Sequence, residues 1–235
     1  MLLSDLKHCA LLEIDVQNDF CPAYIDKAGK QTQCGALAVK DGDKVIQPLN
    51  RLAIALEKAG GRIIASQDWH PPAHVSFASS HAGKKQGDSI MLENGIEQIL
   101  WSDHCIQKSH GALFHENLII SPFIKIITKG CNKTLDSYSA FFENDKKTST
   151  GLDIWLKTFG INHVIVGGLA TDYCVFYSVM DALKLGLKVT VVSDAIMGVN
   201  IPIGSVDNAI NTMKKSGAVF ASSDDIIDSI DKQVL

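Results

Sequence analysis

The 235-residue sequence has no CxxC pair, no excess of basic charge, no low-complexity tract or linker, and no apolar run long enough to span a bilayer. Each absence removes a class of function. Six Cys (9, 21, 34, 105, 131 and 174) without a paired spacing, in a chain too long to need stapling, read as reduced thiols. Basic residues number 22 against 26 acidic ones, a formal charge of −4, so there is no field to gather a polyanion and nucleic acid is not an expected partner. Asp5 and Lys7 interrupt the N-terminal stretch where a signal peptide needs an unbroken apolar core, which predicts a cytoplasmic protein with no membrane partner. What is present is 46% apolar and 20% charged side chains with mean hydropathy +0.11, enough to fill one globular domain over residues 1–235. Eight His are present, and His70, His74, His81, His104, His110 and His115 fall in one stretch.

Short runs rich in branched residues alternate with longer segments of helical periodicity, the pattern of a βαβ chain with a parallel sheet. Six strands are predicted: 9–15 (CALLEID), 62–68 (RIIASQD), 123–129 (FIKIITK), 163–168 (HVIVGG), 188–194 (KVTVVSD) and 218–222 (AVFAS). The first helix is expected to start at Asp43 as N-cap, to kink at Pro48, to bury Val45, Ile46, Leu49, Leu52, Ala53 and Leu56, and to stop at Gly60-Gly61. A shorter helix buries Leu152, Trp155, Leu156 and Phe159. Another, entered through Thr171-Asp172, buries Val175, Phe176, Val179, Ala182 and Leu183. Ser205 is expected to cap a helix burying Val206, Ala209, Ile210 and Met213, and Asp224-Asp225 to cap a last turn or two. Residues 69–121, long, polar and His-rich, and residues 23–34 fit neither period, and loops of such length inside a domain are usually functional or mobile.

Strands buried on both faces should be apolar throughout, yet four end in or beside Asp15, Asp68, Lys129 or Asp194. In an open parallel sheet the carboxyl ends share one edge, where ligand crevices form. The fourth strand instead runs into GGLATDYC, placing Cys174 in the first turn of a helix, where the positive end of the helix dipole stabilises a thiolate. A small buried hydrophobe is the ordinary fate of a Cys, but the Gly-rich turn and the neighbouring strand-end charges favour a nucleophile. Asp15 could take the thiol proton, and Lys129 could hold Asp15 ionised. Asp19 and Asp194 suggest only structural duties. Asp68 and His70, at i and i+2, project to one side of an extended chain, and a third nitrogen from His74, His81, His104, His110 or His115 would complete a two-His, one-carboxylate metal site. Spacing does not choose among the five.

Taken in order, EIDVQNDF, ALAVKDGD, SQDWHPPAHVSF, DHC, TKG, DSYSAFF and GLATDYCV closely resemble the nicotinamidases of the isochorismatase-like cysteine hydrolases, from Ile14 to about Gly217. The resemblance implies an α/β fold, a three-layer α/β/α sandwich around a six-stranded, mostly parallel sheet. It implies Asp15, Lys129 and Cys174 as catalytic triad, Ala170 and Cys174 amides as oxyanion donors beyond a cis Leu169–Ala170 bond, and Asp68, His70 and His104 as metal ligands. Phe20, Trp101 and Tyr138 match the aromatic residues that enclose a pyridine ring. The chain departs from the pattern at Ser102, where Pro is usual, and in residues 23–34, an insertion that would serve as a flap over the pocket, an oligomer contact or a passive loop.

The expected activity is metal-dependent hydrolysis of nicotinamide to nicotinate and ammonia through a Cys thioester, in NAD salvage, with one divalent ion: zinc first, iron or manganese as alternatives. Lys129 is expected to keep the Asp15 pKa low enough for Asp15 to begin as a base. The expected partner is the small-molecule substrate, with a homo-oligomer compatible. Competing readings are another isochorismatase-like hydrolase acting without metal, a catalytically silent relative serving as a binding subunit, and a redox enzyme, which lacks a resolving Cys.

Overall fold

The computed structural model describes residues 2, 3 and 5–234; Met1, Ser4 and Leu235 lie outside it, as do those positions of the expected 1–235 domain. Among the described residues eight strands form: β1 (Cys9–Ile14), β2 (Arg62–Asp68), β3 (Ser89–Met91), β4 (Glu97–Ile99), β5 (Phe123–Lys129), β6 (His163–Leu169), β7 (Lys188–Met197) and β8 (Val219–Ala221). Five helices accompany them: α1 (Ile46–Lys58), α2 (Leu152–Thr158), α3 (Phe176–Lys184), α4 (Ser205–Lys215) and α5 (Ser223–Val234). The six predicted strands make one parallel sheet in the order β5-β2-β1-β6-β7-β8, while β3 and β4 pair as a separate antiparallel hairpin inside the stretch that showed no period.

The pleat of β1 sorts the core into two layers. Cys9 and Leu11 face α1 and α5, packing with Leu49, Leu52, Leu56, Ile226 and Ile230. Ala10, Leu12 and Ile14 face the opposite way, toward Leu152 and Leu156 of α2, Val179 and Ala182 of α3, and Met213 of α4. The result is the expected three-layer sandwich, and each fully buried Leu of α1 contributes about 2 kcal/mol of burial. Strand order reverses between β1 and β6, so their carboxyl ends open the crevice such sheets provide for ligands.

Several expected helix starts differ. A 3-10 turn over Gly42–Val45 leads into α1, Asp43 makes no cap bond, and Pro48 sits at the third helical residue, where its missing N–H has no intrahelical acceptor to lose. Ser205 follows Gly204 at the N-cap and spends its hydroxyl on Asp172 instead. Phe159 is exposed rather than inward. At α5 the cap is Ser222, whose Oγ accepts from the Asp225 N–H at 3.1 Å while Asp225 Oδ2 accepts from the Ser222 N–H at 3.3 Å, and the helix runs three turns rather than one or two. Asp194 does not end its strand, because β7 continues to Met197. Its carboxylate accepts from the N–H and hydroxyl of Ser223 at 2.7 and 2.6 Å and anchors the start of α5.

A carboxyl group lies in the core without a partner. Glu13 of β1 is 1% exposed, neither carboxyl oxygen has a hydrogen bond among the described residues, and burial pushes its pKa from 4.5 up to about 8. The unfolded chain therefore gives up this proton first, and Glu13's contribution to stability, complete below pH 4.5, is lost as pH rises through about 8. Within that window the protein is expected to lose about 1.4 kcal/mol per pH unit on this account. Glu13→Gln should be more stable than the wild type by a margin that widens across the window. Urea-unfolding midpoints measured below and above it check this, and a constant margin would contradict it.

Candidate active site

The crevice edge is built from backbone outward. Asp15 leaves β1 with φ 48, and β6 passes so close that a Cβ on Gly168 would stand 2.1 Å from the Ile14 carbonyl oxygen, so only glycine permits the approach. In the register of β2 and β5, Asp68 lies opposite Lys129, which delivers an ammonium and a carboxylate to the same point from adjacent strands. Lys129 is buried, hydrogen-bonds Asp68 Oδ1, ion-pairs with Asp15 Oδ2 at 2.9 Å, donates to the Ser137 carbonyl at 3.0 Å and lies 3.3 Å from Cys174 Sγ. Ser66 Oγ donates to the other oxygen of Asp15 at 2.6 Å. The predicted Asp15, Lys129 and Cys174 thus meet as one cluster.

Cys174 is carried by a π-type turn over Thr171–Val175 that precedes α3, rather than by the first turn of a regular helix, and the Leu169–Ala170 peptide is cis as expected. Its thiol pKa is not lowered. Burial raises it well above the usual range, the Asp15 and Asp68 carboxylates add to this, and the Lys129 ammonium opposes them without prevailing. Asp15 is likewise held above the usual carboxylate range by burial, with Lys129 opposing and Asp68 adding to the rise. Lys129 itself is raised well above an ordinary lysine: burial would lower it, but the two carboxylates prevail. The resting thiol is therefore protonated, beside a carboxylate made more basic by burial.

The second cluster lies on the far side of Asp68. His70 Nε2 and His104 Nε2 stand 3.5 and 3.7 Å from Asp68 Oδ2. The Gly130 and Ser102 carbonyls sit 3.0 and 2.7 Å from the two Nδ1 atoms, so the ring protons belong on Nδ1 and the Nε2 lone pairs are bare. Three acceptors facing one another within 4.8 Å, with no donor between them, suit a divalent cation, and the N/N/O set matches zinc, iron or manganese. His74 is unsuited, because Ser76 Oγ at 2.7 Å and the Asn132 carbonyl at 2.9 Å occupy both its nitrogens. His81, His110 and His115 do not join the cluster.

Residues between the motifs hold these groups in place. Gln17 clamps the backbone of Asp68 from both sides, its Oε1 accepting the Asp68 N–H at 2.8 Å and its Nε2 donating to the Asp68 carbonyl at 2.8 Å. Asp19 Oδ2 accepts the Cys105 N–H at 2.7 Å, fixing the residue after His104 at φ 47, and the Cys105 carbonyl accepts the His70 N–H at 3.0 Å. Phe20, Trp101 and Tyr138 do line the cavity above the cluster, together with Asp68, His70, His104, Ala170 and Cys174. Tyr173, Asp136, Leu37 and Val39, which lie in the quoted motifs but were given no role, also line it, as does Val199, which lies outside them. Residues 23–34 do not line it. They turn back through an Ile25–Gln31 bridge and pack on the 110–117 segment, with Tyr24 4.0 Å from the His115 ring and Lys27 bound to Glu116.

Residues 9–225 match the Isochorismatase domain family. The nicotinamidase of Escherichia coli is 44% identical over 211 residues, covering 90% of this chain and 93% of that protein. A solved nicotinamidase and pyrazinamidase from Acinetobacter baumanii superposes with a TM-score of 0.84 at 42% identity, covering 94% of this chain and 98% of that one. The pyrazinamidase of Pyrococcus horikoshii, solved in complex with zinc, gives a TM-score of 0.69 at 29% identity, covering 92% and 99%.

Gly130 supplies a direct test of the second cluster. At φ 62, a Cβ there would sit 2.4 Å from His70 Cε1. Gly130→Ala should push the ring off its carbonyl and weaken zinc binding by roughly tenfold or more. Gly87→Ala, with φ 90 and nothing within 4 Å of the new Cβ, is the matched control for backbone strain. Equilibrium dialysis against a competing chelator reads the difference, and equal affinities would contradict the assignment.

Proposed function

Because the chain belongs to the isochorismatase family, we propose that it is a metal-dependent nicotinamidase, converting nicotinamide and water to nicotinate and ammonia. The observation that carries this reading is the position of Cys174 Sγ, 3.3 Å from an ammonium that also binds Asp15 and Asp68, in a cavity walled by aromatic rings. A polar amide with a flat ring needs a nucleophile, a proton carrier and an apolar slot, and the cavity supplies all three.

In this reading Asp15 takes the Cys174 proton as sulfur attacks the carboxamide carbon. Burial makes Asp15 a stronger base than an exposed carboxylate, and the Lys129 ammonium receives the developing thiolate charge. The backbone N–H groups of Ala170 and Cys174 hold the oxyanion. Asp15 returns its proton to the departing nitrogen, the C–N bond breaks, ammonia leaves and a thioester remains. Asp15 then removes a proton from water, which attacks the thioester carbon, and the expelled sulfur recovers that proton. Phe20, Trp101 and Tyr138 enclose the ring and exclude bulk water. Asp68, His70 and His104 would hold the metal, which supplies a Lewis-acid anchor for the ring nitrogen. The reaction fits NAD salvage in the cytoplasm, and among the described residues no helix is long and apolar enough to cross a membrane.

Cys174→Ala is expected to abolish ammonia release while metal content stays near wild type, and residual turnover above a few per cent would sink the covalent route. His70→Ala should lose metal and raise KM for nicotinamide, and an unchanged KM would remove the ring-anchoring role. Ammonia release assayed with and without chelator tests the reading as a whole: no release from nicotinamide under either condition contradicts it.

A further inference from the structure

In the two strands of the β3–β4 hairpin, Ser89, Met91 and Glu97 are exposed, Ile90 and Ile99 are half-buried, and Gln98 alone is buried, at 1% exposed. Burying a primary amide is costly unless its hydrogen bonds are made. Here Nε2 donates to the Ile99 carbonyl at 2.7 Å and to Asp136 Oδ2 at 3.1 Å, and it lies 3.5 Å from the Tyr138 hydroxyl. That hydroxyl accepts from Trp101 Nε1 at 3.1 Å, and the other oxygen of Asp136 accepts the Ser137 N–H at 2.8 Å. Gln98, Asp136, Tyr138 and Trp101 therefore form one connected polar chain. Three of its members line the cavity and Gln98 does not.

We propose that Gln98 is a positioning residue for substrate binding, setting the Trp101–Tyr138 wall of the cavity through its hydrogen bonds to Asp136 and Tyr138. It touches no reacting group. Its amide meets a buried carboxylate and a phenol at once, so it fixes where the two side chains stand relative to each other. Tyr138 packs on Tyr173 at 5.7 Å and Trp101 on Tyr173 at 4.9 Å, so a wall released at Gln98 is free to shift as a group against the ring it encloses. The hairpin thus shapes the pocket through one residue. The choice of nicotinamide as test substrate rests on the function proposed above, but the geometry does not.

Gln98→Met keeps the length and burial of the side chain and removes the amide. With nicotinamide and the metal-loaded protein, KM is expected to rise about tenfold while kcat stays within about threefold, as for loss of an interaction made equally in the ground and transition states. A KM within about twofold of wild type in the folded variant overturns the proposal. Gln98→Leu gives the same comparison should the Met variant not fold. Fluorine NMR of fluorotryptophan-labelled protein, with the Trp101 signal identified by Trp101→Phe, reads the wall without substrate. The Trp101 signal should shift in the variant while those of Trp69 and Trp155 hold, and an unmoved Trp101 signal overturns the proposal. If the wild type releases no ammonia from nicotinamide, the functional reading fails separately and the fluorine signal alone decides the role of Gln98.

Discussion

One buried ammonium organises the molecule's chemistry. Lys129 lies out of water against two carboxylates and a thiol, and its charge is sustained only because Asp15 and Asp68 balance it. The same contact works in reverse, since neither carboxylate would stay ionised at such depth without the ammonium. Removing Lys129 leaves two uncompensated carboxylates in the core. The sheet is built to prevent this: Asp68 and Lys129 are register partners on β2 and β5, and Asp15 arrives from β1, the strand on the other side of β2.

Asp68 belongs to two clusters at once. One oxygen faces Lys129 and the other faces His70 and His104, so the proposed nucleophile and the proposed metal site share a single side chain. This explains why so much backbone is committed to holding it. Gln17 clamps its peptide on both sides, Asp19 locks the loop that carries His104, and Gly130 leaves room for His70. Between them the residues of EIDVQNDF supply the proposed proton carrier, two clamps and a pocket wall from six consecutive positions, 15–20.

The strands were legible because a parallel strand buried on both faces must be a short apolar run of branched residues, and all six such runs became strands. Strand-end Asp15, Asp68 and Lys129 were legible for the converse reason, as charges placed where burial is costly. Asp194 shared that pattern yet serves as an anchor for α5, because local sequence does not reveal that β7 continues past it. Ser66, Gln17 and Gln98 carried no signal, since each matters only through a partner 38 to 51 residues away. Five His were open as third ligand from spacing, and the resemblance selected His104. In the structure His104 faces Asp68 and His70, while both ring nitrogens of His74 are occupied, which spacing cannot show. The raised Cys174 and Asp15 pKa values also escaped the sequence, because depth of burial outweighs the dipole and charge arguments that local motifs suggest.

If Lys129 is the group that makes sulfur attack possible, its charge must be required for acylation itself and not only for folding. The direct measurement is intact-mass spectrometry of acid-quenched protein during turnover of nicotinamide, comparing wild type with a folded Lys129→Met variant. The wild type should carry one nicotinoyl group, lost when Cys174 is replaced, and Lys129→Met should carry none at any time sampled. Acylation of Lys129→Met at the wild-type rate would contradict the account.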